Sequence, residues 1–298
     1  MQKIRKCIIP AAGFGTRFLP ATKAQPKEML PIVDKPVIQY LVEEAVAAGI
    51  TDIMIVTGRG KQAIENHFDA SFELEKTLVE KWKIKELALV EAVSSLANIA
   101  YVRQPLPRGD GDALLHARSW IGDEPCLVLF GDDLIKWEVW WAEQLVTAFE
   151  QYGSPIIALE RVADKRVSSY GIIEPATSEW PIHTVAKFLE KPKPEETTSR
   201  LGVIGKYIIT PEIFDYLEKA NQATQSGASK DGEIRLADAF ARMVEDNKMI
   251  YGLEMEGDRY DTGDKFGFLK ATIDYALDRE DLGPQLMEFL EKRVNNQI

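Results

Sequence analysis

Small residues and cations share one short segment near the N-terminus. An apolar run that begins at Ile8 leads directly into Gly13 and Gly15. Three cations follow on the same segment: Arg17, Lys23 and Lys27. Glycines let several backbone N–H groups approach one ligand, and fixed positive charge beside them attracts an anion. The pattern therefore predicts a phosphate-binding loop after a buried strand, and the charge suits a triphosphate.

Two other phosphate-binding patterns do not fit this segment. A dinucleotide-binding fingerprint requires a third glycine three residues after Gly15, where Phe18 stands, and a helix that Pro20 and Pro26 disfavour. A loop of the ATPase kind requires Gly-Lys-Ser/Thr after its glycines, and none occurs in the sequence. A plain Gly/Pro-rich surface loop is the remaining alternative. Three cations between prolines argue against it, because such loops rarely carry them without a ligand.

Acidic residues end two segments that lie far apart in the sequence. Asp132 follows the apolar run that begins at Cys126, and Asp261 lies in a polar turn after Tyr260. Carboxylate oxygens suit Mg²⁺, which takes one or two carboxylates together with substrate phosphate and water. We expect the two loops to meet and to share one Mg²⁺. Asp133 is the weaker candidate, because an acid next to a ligand more often supports the site than binds the metal.

Three motifs follow one another after the first strand. They are Gly-Thr-Arg at 15–17, Leu-Pro-Ala-Thr-Lys-Ala at 19–24 and Pro-Lys-Glu-Met-Leu-Pro at 26–31. Together they resemble the signature of bacterial UTP–glucose-1-phosphate uridylyltransferases, a branch of the sugar-phosphate nucleotidylyltransferases. Matches to the family keep their order from Ile8 to Gly267. The resemblance implies an enzyme that makes UDP-glucose and pyrophosphate from UTP and glucose 1-phosphate, with Mg²⁺ as cofactor.

The resemblance also implies roles for individual residues. The nucleotide-binding residues would be Ala12, Gly13, Gly15, Thr16, Glu28, Gln104 and Gly109. The catalytic residues, which neutralise phosphate charge, would be Arg17, Lys27 and Lys191. The sugar-binding residues would be Gly171, Glu190 and Lys191, the last two in the motif Glu-Lys-Pro at 190–192. The metal ligands would be Asp132 and Asp261. A role for Lys206 stays open.

The sequence departs from the family pattern at several positions. Asp112 stands where the family usually has His, and Gly131 stands where Pro commonly precedes the metal-binding aspartate. Arg235 and Ala237 replace Gln and Thr in a later motif. We expect Asp112 either to cap the helix that begins there or to pair with Arg108, and we favour the cap over a direct role in ligand binding.

Alternatives to this function remain open at the level of the sequence. The same chemistry could use another base or sugar, such as dTTP or CTP, because Gln104 is the only residue with a predicted base-reading side chain. A non-catalytic regulator that binds nucleotide-sugar is a second alternative. A nicotinamide-dependent dehydrogenase is a third, and Phe18 argues against it.

Composition limits the class of protein and its partners. The chain has 298 residues and a net charge of −11, which argues against binding to nucleic acid or to an anionic membrane. Cys7 and Cys126 lie in apolar runs, so we expect buried, reduced thiols and a cytoplasmic location. The expected partners are the small-molecule substrates and further copies of the chain, as a dimer or tetramer.

The elements that position these residues alternate between strand-like and helix-like patterns. The helical spacing after Val37, followed by the apolar run Ile53–Thr57, predicts a βαβ unit and hence parallel strands. We expect an α/β protein with a Rossmann-like three-layer fold and a mixed, mainly parallel central sheet. Residues 1–263 would form the catalytic domain and residues 264–298 a C-terminal helical extension of the same domain.

Overall fold

The computed structural model describes residues 3–136, 138–225 and 232–295. Its strands are β1 Lys6–Pro10, β2 Pro31–Ile32, β3 Lys35–Pro36, β4 Asp52–Thr57, β5 Asn98–Arg103, β6 Cys126–Leu129, β7 Asp133–Lys136, β8 Ile156–Arg161, β9 Gly171–Glu179, β10 Ile182–Glu190, β11 Leu201–Ile209, β12 Tyr251–Glu254 and β13 Asp258–Asp261. Its helices are α1 Val37–Ala47, α2 Gln62–Phe68, α3 Phe72–Glu80, α4 Ile84–Ser94, α5 Asp110–Ile121, α6 Trp141–Tyr152, α7 Ile213–Gln225, α8 Leu236–Glu245, α9 Lys265–Leu277 and α10 Gly283–Asn295.

A nine-stranded sheet organises the chain, in the order β5-β4-β1-β6-β11-β8-β12-β10-β9. The strands β5, β4, β1 and β6 pair in parallel, as the βαβ pattern predicts. In the second half, β11 and β10 run antiparallel to their neighbours. The sheet is therefore mixed, and the prediction of a mainly parallel sheet holds only for its first half. The reason is local: only Trp180 and Pro181 join β9 to β10, and so short a connection permits only antiparallel pairing.

Alternate residues of the first strands contact two separate apolar clusters. Cys7 and Ile9 pack with residues of α1 and α6, whereas Ile8, between them, packs with residues of α5, α7 and α8. Successive side chains of a strand point to opposite faces, so helices cover both faces of this half of the sheet. The helices leave the C-terminal ends of β1, β5 and β6 open at one edge.

A two-stranded ribbon, formed by β7 and β13, lies beside the main sheet. It pairs Asp133 with Asp261 and Leu134 with Tyr260 in antiparallel register. The sequence pattern predicts only a polar turn around Tyr260, so it misses this pairing. The ribbon joins the end of β6 to the segment before α9.

Several helix boundaries test the sequence patterns directly. The helix predicted after Val37 is confirmed, and it is followed by Gly49 in a left-handed conformation. Helix α5 begins at Asp110, two residues before the predicted start at Asp112. Among the described residues, no helix combines the length and the apolar character that crossing a bilayer requires.

Candidate functional site

A cleft of ≈ 550 Å³ opens at the C-terminal ends of β1, β5 and β6. Seven of the residues assigned by resemblance line it: Ala12, Gly13, Lys27, Glu28, Gln104, Gly109 and Asp132. Ligands bind at this edge in open parallel sheets, because the loops that follow the strands converge there. Gly15, Thr16 and Arg17 lie further along the first loop and are not part of the lining.

A larger pocket of ≈ 770 Å³ lies between α6 and the strands β9, β10 and β12. None of the predicted site residues lines it. Because the predicted site residues line the smaller cleft and not this pocket, the smaller cleft is the candidate site.

The first loop is held in shape by contacts around Gly15. This residue has φ 62°, in the left-handed region, and a Cβ atom placed there would lie 3.0 Å from Cβ of Lys27. The hydroxyl of Thr22 donates a hydrogen bond of 2.7 Å to the carbonyl oxygen of Gly15. Glycine is thus required where the loop folds back on Lys27.

Lys27 and Asp132 form an ion pair beside the cleft. The Nζ atom of Lys27 lies 2.9 Å from Oδ2 of Asp132. Burial alone would lower the pKa of Lys27, but the charges of Asp132 and Glu28 outweigh it and the pKa is raised. Burial alone would raise the pKa of Asp132, but Lys27 and then Arg17 outweigh it and the pKa is lowered. Both side chains are therefore charged at neutral pH.

The ribbon brings Asp261 opposite Asp133 and places the following residue, Thr262, against Asp132. The backbone N–H of Thr262 donates to the carbonyl oxygen of Asp132 at 2.7 Å. A Cβ atom at Gly263 would lie 2.8 Å from Oδ2 of Asp132, so only glycine leaves room for that carboxylate. Arg17 reaches the same place, where its Nη1 donates to the carbonyl oxygen of Gly263 at 3.3 Å.

The charges around Asp261 indicate what this place can bind. Burial raises the pKa of Asp261, and the carboxylates of Asp133 and Asp132 raise it further. Arg259 and the backbone N–H of Gly263 lower it, and Nη2 of Arg166 lies 3.9 Å from Oδ2 of Asp261. Carboxylate oxygens of this kind suit Mg²⁺. Within the described ranges, no group of three or more His, Cys, Asp or Glu side chains could hold a metal ion. Two carboxylates fit Mg²⁺ when substrate phosphate and water supply the remaining oxygens.

Asp133 is occupied by protein groups. Nε of Arg259 donates to its Oδ1 at 2.6 Å, and the backbone N–H of Gly205 donates to its Oδ2 at 3.1 Å. Arg259 also donates to Glu160 and to the hydroxyl of Tyr170. These bonds fix β7 against β13 and β11. Arg259 lies on β13, where the sequence gives no strand signal, and sequence reasoning missed it for that reason.

Glu28 has one paired and one unpaired carboxylate oxygen. Oε2 accepts a hydrogen bond of 2.7 Å from Nζ of Lys61. Oε1 is buried and has no hydrogen-bond partner among the described residues, although the side chain lines the cleft. A buried acceptor without a partner at a cleft wall can receive a donor from a ligand.

Gln104 lies at the end of β5 with its amide held from two sides. Nε2 donates to the carbonyl oxygen of Gly109 at 3.0 Å and to Oδ2 of Asp112 at 2.7 Å. Oδ1 of Asp112 accepts from Nη2 of Arg108 at 2.6 Å. The expected pairing of Asp112 with Arg108 is confirmed. The alternative, that Asp112 caps α5, is wrong, because the helix begins before Asp112 and its carboxylate is occupied by side chains.

Asp110 and Gly109 connect the same loop to α8. Oδ1 of Asp110 accepts from the backbone N–H of Leu236 at 2.8 Å, which caps the first turn of α8. Gly109 has φ 101°, and a Cβ atom there would lie 2.4 Å from the carbonyl oxygen of Ile234. Only glycine fits so close an approach.

The predicted sugar-binding residues lie together at the ends of β9 and β10. Gly171 pairs with Glu190, and a Cβ atom at Gly171 would lie 3.4 Å from Oε2 of Glu190. Lys191 has φ 47°, and its Nζ lies 3.5 Å from Oε1 of Glu190. Burial raises the pKa of Asp110, and the charge of Glu190 raises it further. Glu190 is therefore within electrostatic reach of the cleft, which Asp110 lines.

Lys206 belongs to the core. Its side chain is fully buried at 0% exposure, and Nζ lies 2.7 Å from Oε2 of Glu44. The other oxygen of Glu44 accepts from the backbone N–H of Ala142 at 3.0 Å. Lys206 thus joins β11 to α1 and α6 and does not line the cleft.

Comparison with known proteins gives consistent relatives along the chain. The family model described as nucleotidyl transferase matches residues 6–277. A UTP–glucose-1-phosphate uridylyltransferase of Bacillus subtilis is 50% identical over 297 residues, which cover 100% of this chain and 99% of the relative. A second one, of Staphylococcus saprophyticus, is 50% identical over 98% of this chain and 99% of its own length.

Solved structures are similar over most of the chain. A UDP-glucose pyrophosphorylase complexed with UDP-glucose has a TM-score of 0.81 at 38% identity, and the match covers 93% of this chain and 100% of that one. A UTP-bound UGPase from Acinetobacter baumannii has a TM-score of 0.85 at 36% identity, over 96% of this chain and 98% of that one.

Proposed function

Because the chain belongs to the nucleotidyl transferase family, we propose that it transfers a uridylyl group from UTP to glucose 1-phosphate and releases pyrophosphate. The observation that carries the proposal is the ion pair of Lys27 and Asp132 on the wall of the cleft, next to the turn after β13 that holds Asp261 and the contact of Arg17 with Gly263. Relatives that bear this activity in their names match essentially the whole chain.

The reaction joins two anions, and the cations of the site reduce their repulsion. An oxygen of glucose 1-phosphate attacks the α-phosphorus of UTP, a new P–O bond forms, and the bond to the β-phosphate oxygen breaks as pyrophosphate leaves. Lys27 and Arg17 would neutralise the triphosphate, so positioning and charge stabilisation would supply the catalysis. Mg²⁺, held by Asp132 and Asp261, would supply further positive charge at the phosphate oxygens.

Residues of the cleft walls would orient the nucleotide. The proposed nucleotide contacts are Ala12, Gly13, Gly15, Thr16, Glu28, Gln104 and Gly109. The open backbone at Gly13, where a Cβ atom would meet nothing within 4 Å, leaves room for the base or ribose. The unpaired Oε1 of Glu28 would accept a hydrogen bond from a nucleotide hydroxyl or N–H group.

The second substrate would bind near the ends of β9 and β10. Glu190 would accept hydrogen bonds from sugar hydroxyls, and Gly171 would let the sugar approach the backbone. Lys191 would neutralise the sugar phosphate, since its side chain is 61% exposed and, among the described residues, only its ion pair with Glu190 holds it.

Pyrophosphate release across a panel of nucleoside triphosphates and sugar 1-phosphates tests the proposal. We expect release with UTP and glucose 1-phosphate, at rates at least tenfold above those with purine triphosphates, and only when Mg²⁺ is present. Release of pyrophosphate only with a different pair would move the proposal to that pair. UTP binding without any turnover would favour the non-catalytic regulator.

The proposal also includes the organisation of the whole molecule. Residues 1–263 would be the catalytic domain in a Rossmann-like three-layer arrangement, with residues 264–298 as its helical extension. Exposed apolar side chains on α9 and α10, among them Leu269 and Phe289, support a homo-oligomer, a dimer or tetramer. Two buried free thiols, Cys7 and Cys126, support a cytoplasmic location.

A further inference from the structure

The carboxamide of Gln104 is locked in one orientation by its neighbours. Both partners of Nε2, the carbonyl oxygen of Gly109 and the carboxylate of Asp112, are hydrogen-bond acceptors. A carboxamide turned by 180° would place its own oxygen against these two acceptors and lose both bonds. The orientation therefore follows from the chemistry of the partners, independently of how the amide atoms are assigned.

Both carboxylate oxygens of Asp112 accept hydrogen bonds from neighbouring side chains. Its side chain is buried, and its two oxygens are divided between Arg108, at 2.6 Å from Oδ1, and Gln104, at 2.7 Å from Oδ2. The guanidinium of Arg108 supplies the compensating positive charge that a buried carboxylate requires. Asp112 is one of the residues at which this chain departs from the resembled pattern.

The orientation leaves a single group of Gln104 for a ligand. Its Oε1 has no hydrogen-bond partner among the described residues and is not one of the buried unpaired atoms, and Gln104 lines the cleft. Both N–H groups are occupied, so the side chain offers an acceptor and no donor. Uracil and thymine carry a donor at N3, whereas cytosine carries a lone pair there. An acceptor facing that position favours the first two bases and repels the third.

We propose that Asp112 is a positioning residue for base selection, which fixes Gln104 so that only its Oε1 faces the base. This inference rests on the proposed function, since it assumes that the cleft binds a pyrimidine triphosphate. On this inference, uracil is distinguished from cytosine by one acceptor of the protein, Oε1 of Gln104, which faces N3 of the base. The inference assigns no discrimination between uracil and thymine to Gln104, because the two bases are identical at N3.

A double-mutant cycle on the ratio of kcat/KM for UTP to kcat/KM for CTP tests the inference. Asp112→Asn offers one side-chain acceptor, for which Arg108 and Gln104 compete, and an N–H group that can face Gln104. Of the two partners of Nε2, only the carbonyl oxygen of Gly109 then still favours the original orientation, so the amide can turn, and we expect the ratio to fall at least tenfold. In a Gln104→Ala background the same change should leave the ratio within twofold, because the group through which Asp112 acts is gone. Asp215→Asn, which removes a carboxylate that pairs with Arg118 of α5 on the surface, is the matched control.

A measurement on the unaltered protein avoids dependence on the folding of the variants. We expect 3-methyl-UTP, which lacks the N3 donor, to be used at least a hundredfold less efficiently than UTP. Use of this analogue within threefold of UTP, or an unchanged UTP/CTP ratio in folded Asp112→Asn, would overturn the inference. Absence of UTP turnover in the unaltered protein would instead contradict the proposed function, so the two failures are distinguishable.

Discussion

The ammonium group of Lys27 lies 2.9 Å from the carboxylate of Asp132, although 105 positions separate the two residues in the sequence. One residue is the proposed phosphate ligand and the other a proposed metal ligand. In the chain without ligands, each side chain compensates the charge of the other. The ion pair thus keeps both groups ionised and in place without leaving an uncompensated charge in the cleft.

Removing the cation of this pair should abolish most of the turnover. We expect Lys27→Met to lower kcat about a hundredfold or more, because one preorganised charge next to the reacting phosphate is lost. Lys23→Met is the matched control: Lys23 belongs to the same loop, is exposed and makes no ion pair within the described residues. Steady-state pyrophosphate release measures both. An equal loss in the two variants would mean that the loop needs only its overall charge.

Removing the second carboxylate should change the response to metal. Asp261→Asn should raise the Mg²⁺ concentration for half-maximal turnover at least tenfold and lower maximal turnover roughly a hundredfold, since Mg²⁺ favours charged oxygen ligands. Asp258→Asn, on the same strand but exposed, controls for the loss of one negative charge. Titration of activity with Mg²⁺ gives the result. Turnover within threefold of the unaltered protein at saturating Mg²⁺ would exclude Asp261 as a ligand.

Lys191 should act on the sugar phosphate and not on the nucleotide. Lys191→Ala is expected to raise KM for glucose 1-phosphate at least tenfold, whereas calorimetric binding of UTP stays within twofold. Lys187→Ala serves as control, because Lys187 is similarly exposed on β10 and pairs with Glu174. Loss of UTP binding together with unchanged kinetics for the sugar phosphate would refute the assignment.

Breaking the buried ion pair of Lys206 and Glu44 should lower the stability of the fold strongly, whereas replacing both residues with apolar ones should lower it little. Lys206→Met alone leaves a buried carboxylate without its partner, and we expect a loss of about 3–5 kcal/mol in the free energy of unfolding. Lys206→Met combined with Glu44→Leu should recover most of that loss. Lys83→Met, at a surface pair, should cost below about 1 kcal/mol. Urea denaturation distinguishes these values, and a single variant as stable as the control would contradict the account.

The raised pKa of Asp110 makes the stability of the fold depend on pH, and it fixes the direction of that dependence. Burial raises its pKa above the ordinary value of 3.8 in the folded chain, so the folded state binds the proton more tightly than the unfolded state. Its stabilising contribution is therefore complete below pH 3.8 and is lost as the pH rises through the folded value. Asp110→Asn keeps an acceptor for Leu236 without that titration.

We expect the stability of Asp110→Asn relative to the unaltered protein to increase as the pH rises from that value toward neutrality. Urea denaturation at a series of pH values measures the difference. A difference that stays constant or falls with pH would mean that Asp110 is not protonated more readily in the folded chain.

Much of the site was predictable because its chemistry lies in local motifs. Gly15 and Lys27 lie in the loop after β1, Asp132 follows β6, and parallel strands bring their ends to one edge. Asp261 was assigned from its motif, and the structure places it opposite Asp133, the residue after Asp132. Arg259 was not predictable, because three of the four residues of its strand are charged and show no apolar alternation, and the pairing of the strand depends on a partner far away in the sequence.

The fold of the second half was harder to predict for a related reason. The direction of a strand depends on its connections, and the short link between β9 and β10 imposes a reversal that the first four strands of the main sheet do not have. The sequence pattern also did not reveal that Lys206 has a buried ion-pair partner, Glu44. Glu44 lies on a helix face that the sequence pattern alone does not distinguish from a solvated one.

The ribbon of β7 and β13 has a consequence for the order in which the protein is synthesised. A ribosome makes the phosphate loop and Asp132 early, but β13 follows only after most of the remaining strands have been translated. A nascent chain that stops before Asp258 would carry the nucleotide loop without Asp261 and without Arg259, which anchors Asp133. The proposed metal-dependent activity would then begin only on chains translated almost to their end, and prematurely terminated chains would be inactive.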